Sequence, residues 1–453
     1  MPPPNLTHDS SLLIIGAGTW GCSTALHLAR RGYKHITVLD PYPVPSPIAA
    51  GNDINKIVEY SDNNNNQDDP ISFAFHATSK AAMHGWRNDP VFAPYFHETG
   101  SIIAGHTPDT IQYVREHELF PSESDYVKLE SARDFRATMP EGVLTGEFPG
   151  WKGWWRKDGG AGWAHARKAL VSAFEEARRL GVTFITGTPS GEVVSLVYDD
   201  NNDDDNSKDV IGAKTADGTI HRAEHTILAA GASSDLLLNF KKQLRPTAWT
   251  LAHIRMTPDE AKLYKNLPVL FNVAKGFFME PDEDRHELKI CDEHPGYCNW
   301  VRDPDPDHPG QKRSIPFSKH QIPLEAESRV RDFLHDTMPH LADRPLVFAR
   351  ICWDADTPDR CFLIDRHPEH PSLLLAAGAS GHGYMQIPGI GGFVADALEG
   401  TLHRTVRYAF RWRPETAVDR DWGDTQGRFD GPNRVMDFQD IGKDGWTAIR
   451  YDE

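Results

Sequence analysis

The stretch SLLIIGAGTWGCSTALHLARRGYKHITVLD, residues 11–40, decides the fold. Leu12 to Ile15 is an unbroken apolar run, as a parallel strand buried on both faces requires. Glycines follow at once. Ser23 to Arg31 then reads as a helix with Ala25, Leu28 and Ala29 on one side, stopped by Gly32, and HITVLD supplies a second strand ending at Asp40. The unit is βαβ. Gly16, Gly18 and Gly21 form G-x-G-x-x-G between the first strand and the helix. In that pattern the first glycine permits a tight turn, the second lets a pyrophosphate approach the backbone, and the third lets helix and strand pack closely. The helix start offers N–H groups to the anion, and Asp40 can accept a hydrogen bond from a ribose hydroxyl. The spacing predicts a dinucleotide site built on Gly16, Gly18, Thr19, Trp20, Gly21 and Asp40. The competing reading is a turn of the same shape that binds nothing.

Farther along, two segments repeat the sequence of strand followed by small residues. HTILAAGASSDLL begins at His225, and SLLLAAGASGHGYMQIPGIGGFVADALEG begins at Ser372. They offer further close approaches of backbone to a ligand at Ala230 and Gly231, and at Gly381, His382, Gly383, Tyr384 and Met385. A nicotinamide dehydrogenase usually completes its nucleotide fold contiguously. The wide spread here suits FAD, which is longer and needs more of the fold to hold it. Between these pieces lie strand-like TAWTLAHIRM, GFFMEP and HELKICDE, and a helix pattern around EAESRVRDFLHDTMPHL. The expected fold class is α/β (α+β overall). A discontinuous Rossmann-type FAD-binding domain takes 1–90, 155–240 and 346–453, and an interleaved mixed-sheet substrate domain takes 91–154 and 241–345. Two polar stretches, SDNNNNQDDP from Ser61 and DDNNDDDNSKD from Asp199, have nothing apolar to bury and are expected to be mobile; the second reads as a hairpin tip.

The chain has 453 residues, enough for two or three domains. Its net charge of -17 argues against a nucleic-acid partner, because the field would repel the phosphate backbone. No run of 18 apolar residues is present, so no membrane span is expected, and the N-terminus does not read as a secretory signal. The five cysteines, Cys22, Cys291, Cys298, Cys352 and Cys361, are odd in number and unevenly spaced, which is no disulfide framework. CDEHPGYC lacks the second tight ligand pair of a structural zinc site, and no metal is expected.

HELKICDEHPG is informative by period. In a strand Lys289, Cys291 and Glu293 share one face while Leu288 and Ile290 point to the other. Lys289 and Glu293 then look into one space with their Cα atoms roughly 13 Å apart. They could equally line a solvated sheet face.

Several stretches resemble fungal amadoriases, the fructosyl amino acid oxidases of the sarcosine oxidase group of flavoproteins: LLIIGAGTWGCSTALHLARRGY, VLDPYPVPSPIAAGNDINKI, ICDEHPGY, RICWDADT, FLIDRHP and GRFDGPNRVMDF. The likeness runs from about residue 11 to 440. It implies FAD bound covalently through a thioether from Cys352 to the flavin 8α-methyl. Taken alone, Cys352 would read as a small buried hydrophobe. It further implies that Lys289 lies over the flavin ring, that Lys56 stands on the flavin face, that Glu293 holds the substrate amine and that Arg428 binds the substrate carboxylate, which a guanidinium can grip in bidentate fashion. Two positions depart from the family pattern. Asp354 replaces a second cysteine, and Met385 replaces a lysine that contacts sugar or substrate. Methionine cannot donate a hydrogen bond, which implies weaker sugar recognition or a different amine, unless His382 compensates.

The expected activity is FAD-dependent oxidation of a secondary amine, foremost a fructosyl amino acid, to amino acid, glucosone and hydrogen peroxide. The alternative keeps the fold and takes N-methyl amino acids, saccharopine-like compounds or specialised-metabolite amines. A third possibility, from another class, is a nicotinamide-dependent dehydrogenase or an inactive relative. The partners expected are a glycated amino acid and molecular oxygen, with the protein a monomer. An intracellular, cytoplasmic or peroxisomal location is expected, and the chain ends RYDE without a peroxisomal tripeptide.

Overall fold

A computed structural model describes residues 6–60, 68–119, 122–157, 159–199, 209–302, 312–424 and 434–449. Strand β1 (Ser11–Ile15), helix α1 (Thr19–Arg30) and strand β2 (His35–Asp40) form the expected βαβ unit. β1 pairs in parallel with β2 on one side and with His225–Leu228 on the other. The six-stranded sheet runs Leu363–His367, His370–Ala377, His225–Leu228, β1, β2, Thr183–Thr186, and its first strand is antiparallel to the second.

The unbroken apolar run of β1 is explained by what covers it. Leu12 and Ile14 enter a core with residues of α1, of α2 (Pro70–Asn88) and of the helices Ala166–Arg179 and Ile387–Glu399. Leu13 and Ile15 alternate to the other face and join a second core with Leu196, Val210 and Ala213. Those three come from the antiparallel meander Val193–Tyr198, Val210–Thr215 and Ile220–Arg222. Both faces are therefore dry, as a parallel sheet demands.

α1 starts at Thr19, four residues earlier than its apolar stripe suggests, because it begins directly on the glycine turn. A Cβ on Gly21 would lie 1.8 Å from the Gly16 carbonyl oxygen, so helix and strand sit closer than any side chain permits. Gly21→Ala is accordingly expected to cost about 3 kcal/mol or more, read as a lower thermal midpoint. An unchanged midpoint would contradict the close packing.

A nine-stranded sheet forms the second layer, with Leu346–Asp356, Arg245–Arg255 and Glu287–Cys298 neighbours at one end. Leu288 and Ile290 are fully buried in a core with Val330, Phe333 and Leu334 of the helix Leu324–Thr337, so the period-two reading of this strand holds for its apolar face. The strand Leu346–Asp356 pairs with Arg245–Arg255, Cys352 opposite Trp249. The domain boundary expected at 346 thus falls ahead of a strand of this sheet, and the one expected at 155 cuts Lys152–Arg156, which pairs with Ser101–Gly105 in it. Alternation alone does not say which sheet a strand joins. A smaller sheet joins β3 (Lys56–Glu59), Ala161–Ala164 and Phe96–His97 and brings Lys56 to Cys352.

Of the two polar stretches, residues 61–67 and 200–208 lie outside the described residues. The strands flanking the second do pair antiparallel, Val193–Tyr198 with Val210–Thr215. Among the described residues no helix is long and apolar enough to cross a membrane.

Candidate active site

A single cavity of about 910 Å³ runs from the glycine turn after β1 to the strand bearing Cys352. One end is lined by Gly16, Gly18, Asp40, Ala230 and Gly231, the other by Lys56, Glu293 and Cys352. It opens beyond the carboxyl ends of the parallel strands, where open α/β sheets bind their ligands.

At the glycine end the backbone is left bare. Gly16 has φ +106, a conformation glycine adopts without strain, and a Cβ on Gly18 would meet nothing within 4 Å. Gly231 likewise faces open space. No side chain caps the N-terminus of α1, so its first N–H groups have no partner of that kind. Asp40 accepts hydrogen bonds from the Ala17 and Tyr42 N–H groups at 2.8 and 2.9 Å. Burial pushes its carboxyl up, and those two bonds pull it back.

The segment from Gly381 to Met385 is pinned along the cavity by its neighbours. Trp20 Nε1 donates to the Gly383 carbonyl at 3.1 Å, Trp86 Nε1 donates to that of Met385 at 2.7 Å, and the Tyr384 hydroxyl donates to Ala166 at 3.0 Å. Asp354, which sequence alone left needing a partner, accepts the N–H of Gly381. Thr19, Trp20, His382 and Met385 also line the cavity.

At the other end four charges meet. Asp53 is 2% exposed, and its Oδ2 lies 2.7 Å from Lys289 Nζ, 3.2 Å from Lys56 Nζ and 4.0 Å from Arg350 Nη2. Burial alone would raise the Asp53 carboxyl, but Lys289, then Lys56 and Arg350, hold it well below the usual carboxylate range. Lys56 Nζ is 3.7 Å from the Cys352 sulfur. Burial works against its charge, while Cys352, Asp53 and Cys291 outweigh it and raise the ammonium above the ordinary lysine value. One carboxylate among three cations leaves this wall positive, and it reaches the cavity through Lys56. Such a wall favours negative charge developing beside it.

Lys289 is placed differently from the expectation. Its amine turns to Asp53 and to the Asn55 carbonyl, 2.7 Å away, and it stands behind the lining rather than in it. Gly21 also lies behind the lining, under the turn. Arg428 lies outside the described residues. The remaining residues expected at the site are brought together in the cavity wall. Asp53 and Arg350 were not anticipated. The signal for Arg350 was its position two residues before Cys352 on one strand, hence on the same face; Asp53 sat within GNDINKI with no period to mark it.

Among the described residues, one group has metal-ligand spacing: atoms of His367, Glu369 and His370 lie within 4.8 Å of one another. The two imidazoles stack at 4.5 Å and 15°, so their in-plane lone pairs do not converge, and Glu369 is held by Lys241 at 2.6 Å. All five cysteines are free and buried.

Residues 11–397 match the family described as FAD dependent oxidoreductase. Among solved structures, the chain is 69% identical to fructosyl amine:oxygen oxidoreductase (Amadoriase I) from Aspergillus fumigatus, covering 99% of each chain with a TM-score of 0.93. Amadoriase II of the same fungus, in complex with FSA, is 53% identical over 99% of each chain, with a TM-score of 0.90. Among curated proteins, the L-saccharopine oxidase of Schizosaccharomyces pombe is 31% identical over 423 residues, 89% of this chain and 93% of that protein.

Proposed function

Because the chain belongs to the FAD dependent oxidoreductase family, we propose that it is a fructosyl amine oxidase. It takes a glycated amino acid, oxygen and water, and releases the amino acid, glucosone and hydrogen peroxide. The observation that carries this reading is 69% identity, over 99% of both chains, to a fructosyl amine:oxygen oxidoreductase.

The residues present fit FAD. Gly18 and Gly231 leave the backbone bare where a pyrophosphate would lie, the uncapped start of α1 offers N–H groups to it, and the same cavity reaches Cys352. Cys352 would hold the cofactor through a thioether to its 8α-methyl. FAD, when bound, supplies the two-electron oxidation and the transfer of those electrons to oxygen. The chain's own work is placement and charge. Lys56 brings the positive wall to the cavity. Glu293, on the cavity side of its strand, accepts hydrogen bonds from the substrate amine, and Arg428 receives its carboxylate. The amine has to be neutral to give up its C–H electrons, so kcat/KM is expected to fall as pH drops through the amine's titration. A profile flat across that range would count against the reaction.

The deciding experiment measures peroxide released from fructosyl-glycine, fructosyl-lysine, saccharopine and sarcosine by the purified holoenzyme. Turnover of the fructosyl compounds is expected. Likeness to an L-saccharopine oxidase, and Met385 in the cavity wall with no hydrogen to donate to a sugar, favour a second reading in which saccharopine is taken instead. Turnover of saccharopine or sarcosine alone would replace the first reading.

A further inference from the structure

The cavity carries more negative charge than its mechanism uses. Among the described residues, eight carboxylates line it against two permanent cations, Lys56 and Arg360. Four of the eight are answered by the protein: Asp292 by Arg329 at 2.8 Å, Asp359 by Arg413 at 2.7 Å, and Asp40 and Asp354 by backbone N–H groups. Lys56 is committed to Asp53. Glu59, Glu118 and Glu293 line it as well, and Glu118 feels both of the others as like charges.

Glu118 is set where electrostatics disfavour an anion. It caps the C-terminus of the helix Pro108–His117, the negative end of that helix's dipole. Glu59 presents a wholly buried Oε1 with no hydrogen-bond partner among the described residues, in the wall of the same cavity. An orphaned carboxylate oxygen beside a second carboxyl, in a partly dry space, is a place that a cation from outside would complete.

We propose that Glu118, with Glu59 beside it, makes this cavity select substrates whose amino-acid part carries a positive charge, such as a glycated lysine, over neutral or acidic ones. The proposal rests on the fructosyl amine oxidase reading. The groups facing Glu118 are Glu59, Glu293, Arg360 and Tyr113. Burial first, then Glu59, push its carboxyl up to about 7, and Glu293 adds to the effect, while Arg360 and the hydrogen bond from Tyr113 oppose it. A raised pKa means that Glu118 is charged above that value and loses its charge below it, so selection strengthens with rising pH.

The test compares two substrates with the same carbon skeleton, Nα-fructosyl-lysine and Nα-fructosyl-norleucine, which differ in one terminal ammonium. With the holoenzyme at pH 8, kcat/KM is expected to favour lysine by about fivefold or more. The ratio should shrink at pH 6. Any effect of amine protonation common to both substrates cancels in it. Glu118→Gln should bring the ratio near one, and Glu118→Asp should restore part of it, which a merely structural role would not do. Equal rates for the two substrates in the wild type, or an equal loss for both in Glu118→Gln, would overturn the proposal while leaving the oxidase reading intact. Peroxide from neither substrate, with saccharopine or sarcosine turned over, would instead sink the oxidase reading.

Discussion

Cys352→Ser is expected to release the flavin. In the wild type, acid precipitation should give a yellow pellet; in the variant, a colourless pellet and a yellow supernatant. Cys352 is 7% exposed and lines the cavity, and its sulfur lies 3.7 Å from Lys56 Nζ. Serine keeps the size of the group and loses its nucleophilicity at neutral pH, so attachment should fall to nothing rather than by a fraction. The glycine turn remains, so FAD should still bind reversibly. A pellet that stays yellow would move the tether to another residue. The other thiols lining the cavity are Cys291 and Cys361, and burial pushes the pKa of each up to about 12.

Asp53→Asn is expected to be the most damaging substitution for stability. Asp53 and Lys289 are each about 1% exposed at the side chain and pair at 2.7 Å. Removing one partner leaves a buried ammonium without its counter-charge, which costs about 3–5 kcal/mol. The thermal midpoint should fall by roughly 3–5 °C. Burial opposes the charge on Asp53, yet Lys289, Lys56 and Arg350 hold its folded pKa below the unfolded value. Its stabilisation is therefore complete above about pH 4 and fades as pH falls through the folded value. Wild type and variant should differ fully at neutral pH and converge only in acid. The double variant Asp53→Asn with Lys289→Met should recover part of the loss, because the most buried of the cations stranded by the first change is gone, while Arg350 and Lys56 remain. If it is no more stable than Asp53→Asn, the ion pair is not the source of the damage.

Residues 11–40 disclosed their own structure almost completely, since β1, the turn and α1 are each fixed by local rules: an apolar run, glycines at close contacts, a stripe every three to four residues. The role of Cys352 was accessible only through resemblance, because one cysteine carries no period; for Glu293 the period gave the face it shares with Lys289, and resemblance alone gave its role. Which sheet the strand Leu346–Asp356 joins was not legible either, since pairing with Arg245–Arg255 is a contact between segments about a hundred residues apart. Asp53 was missed for a related reason: its partners come from Lys56 nearby but also from Lys289 and Arg350. The charge cluster exists only once the sheets have met.

In the proposed attachment through Cys352, the tether and the phosphate cradle stand on different sheets, which sets an order of assembly. Residue 16 leaves the ribosome early and residue 352 late, so no partial chain can acquire its cofactor permanently. Once the bond is made, a single small molecule is anchored by one layer and gripped by the other, like a rivet through two plates. Maturation should then tighten the whole molecule against proteases.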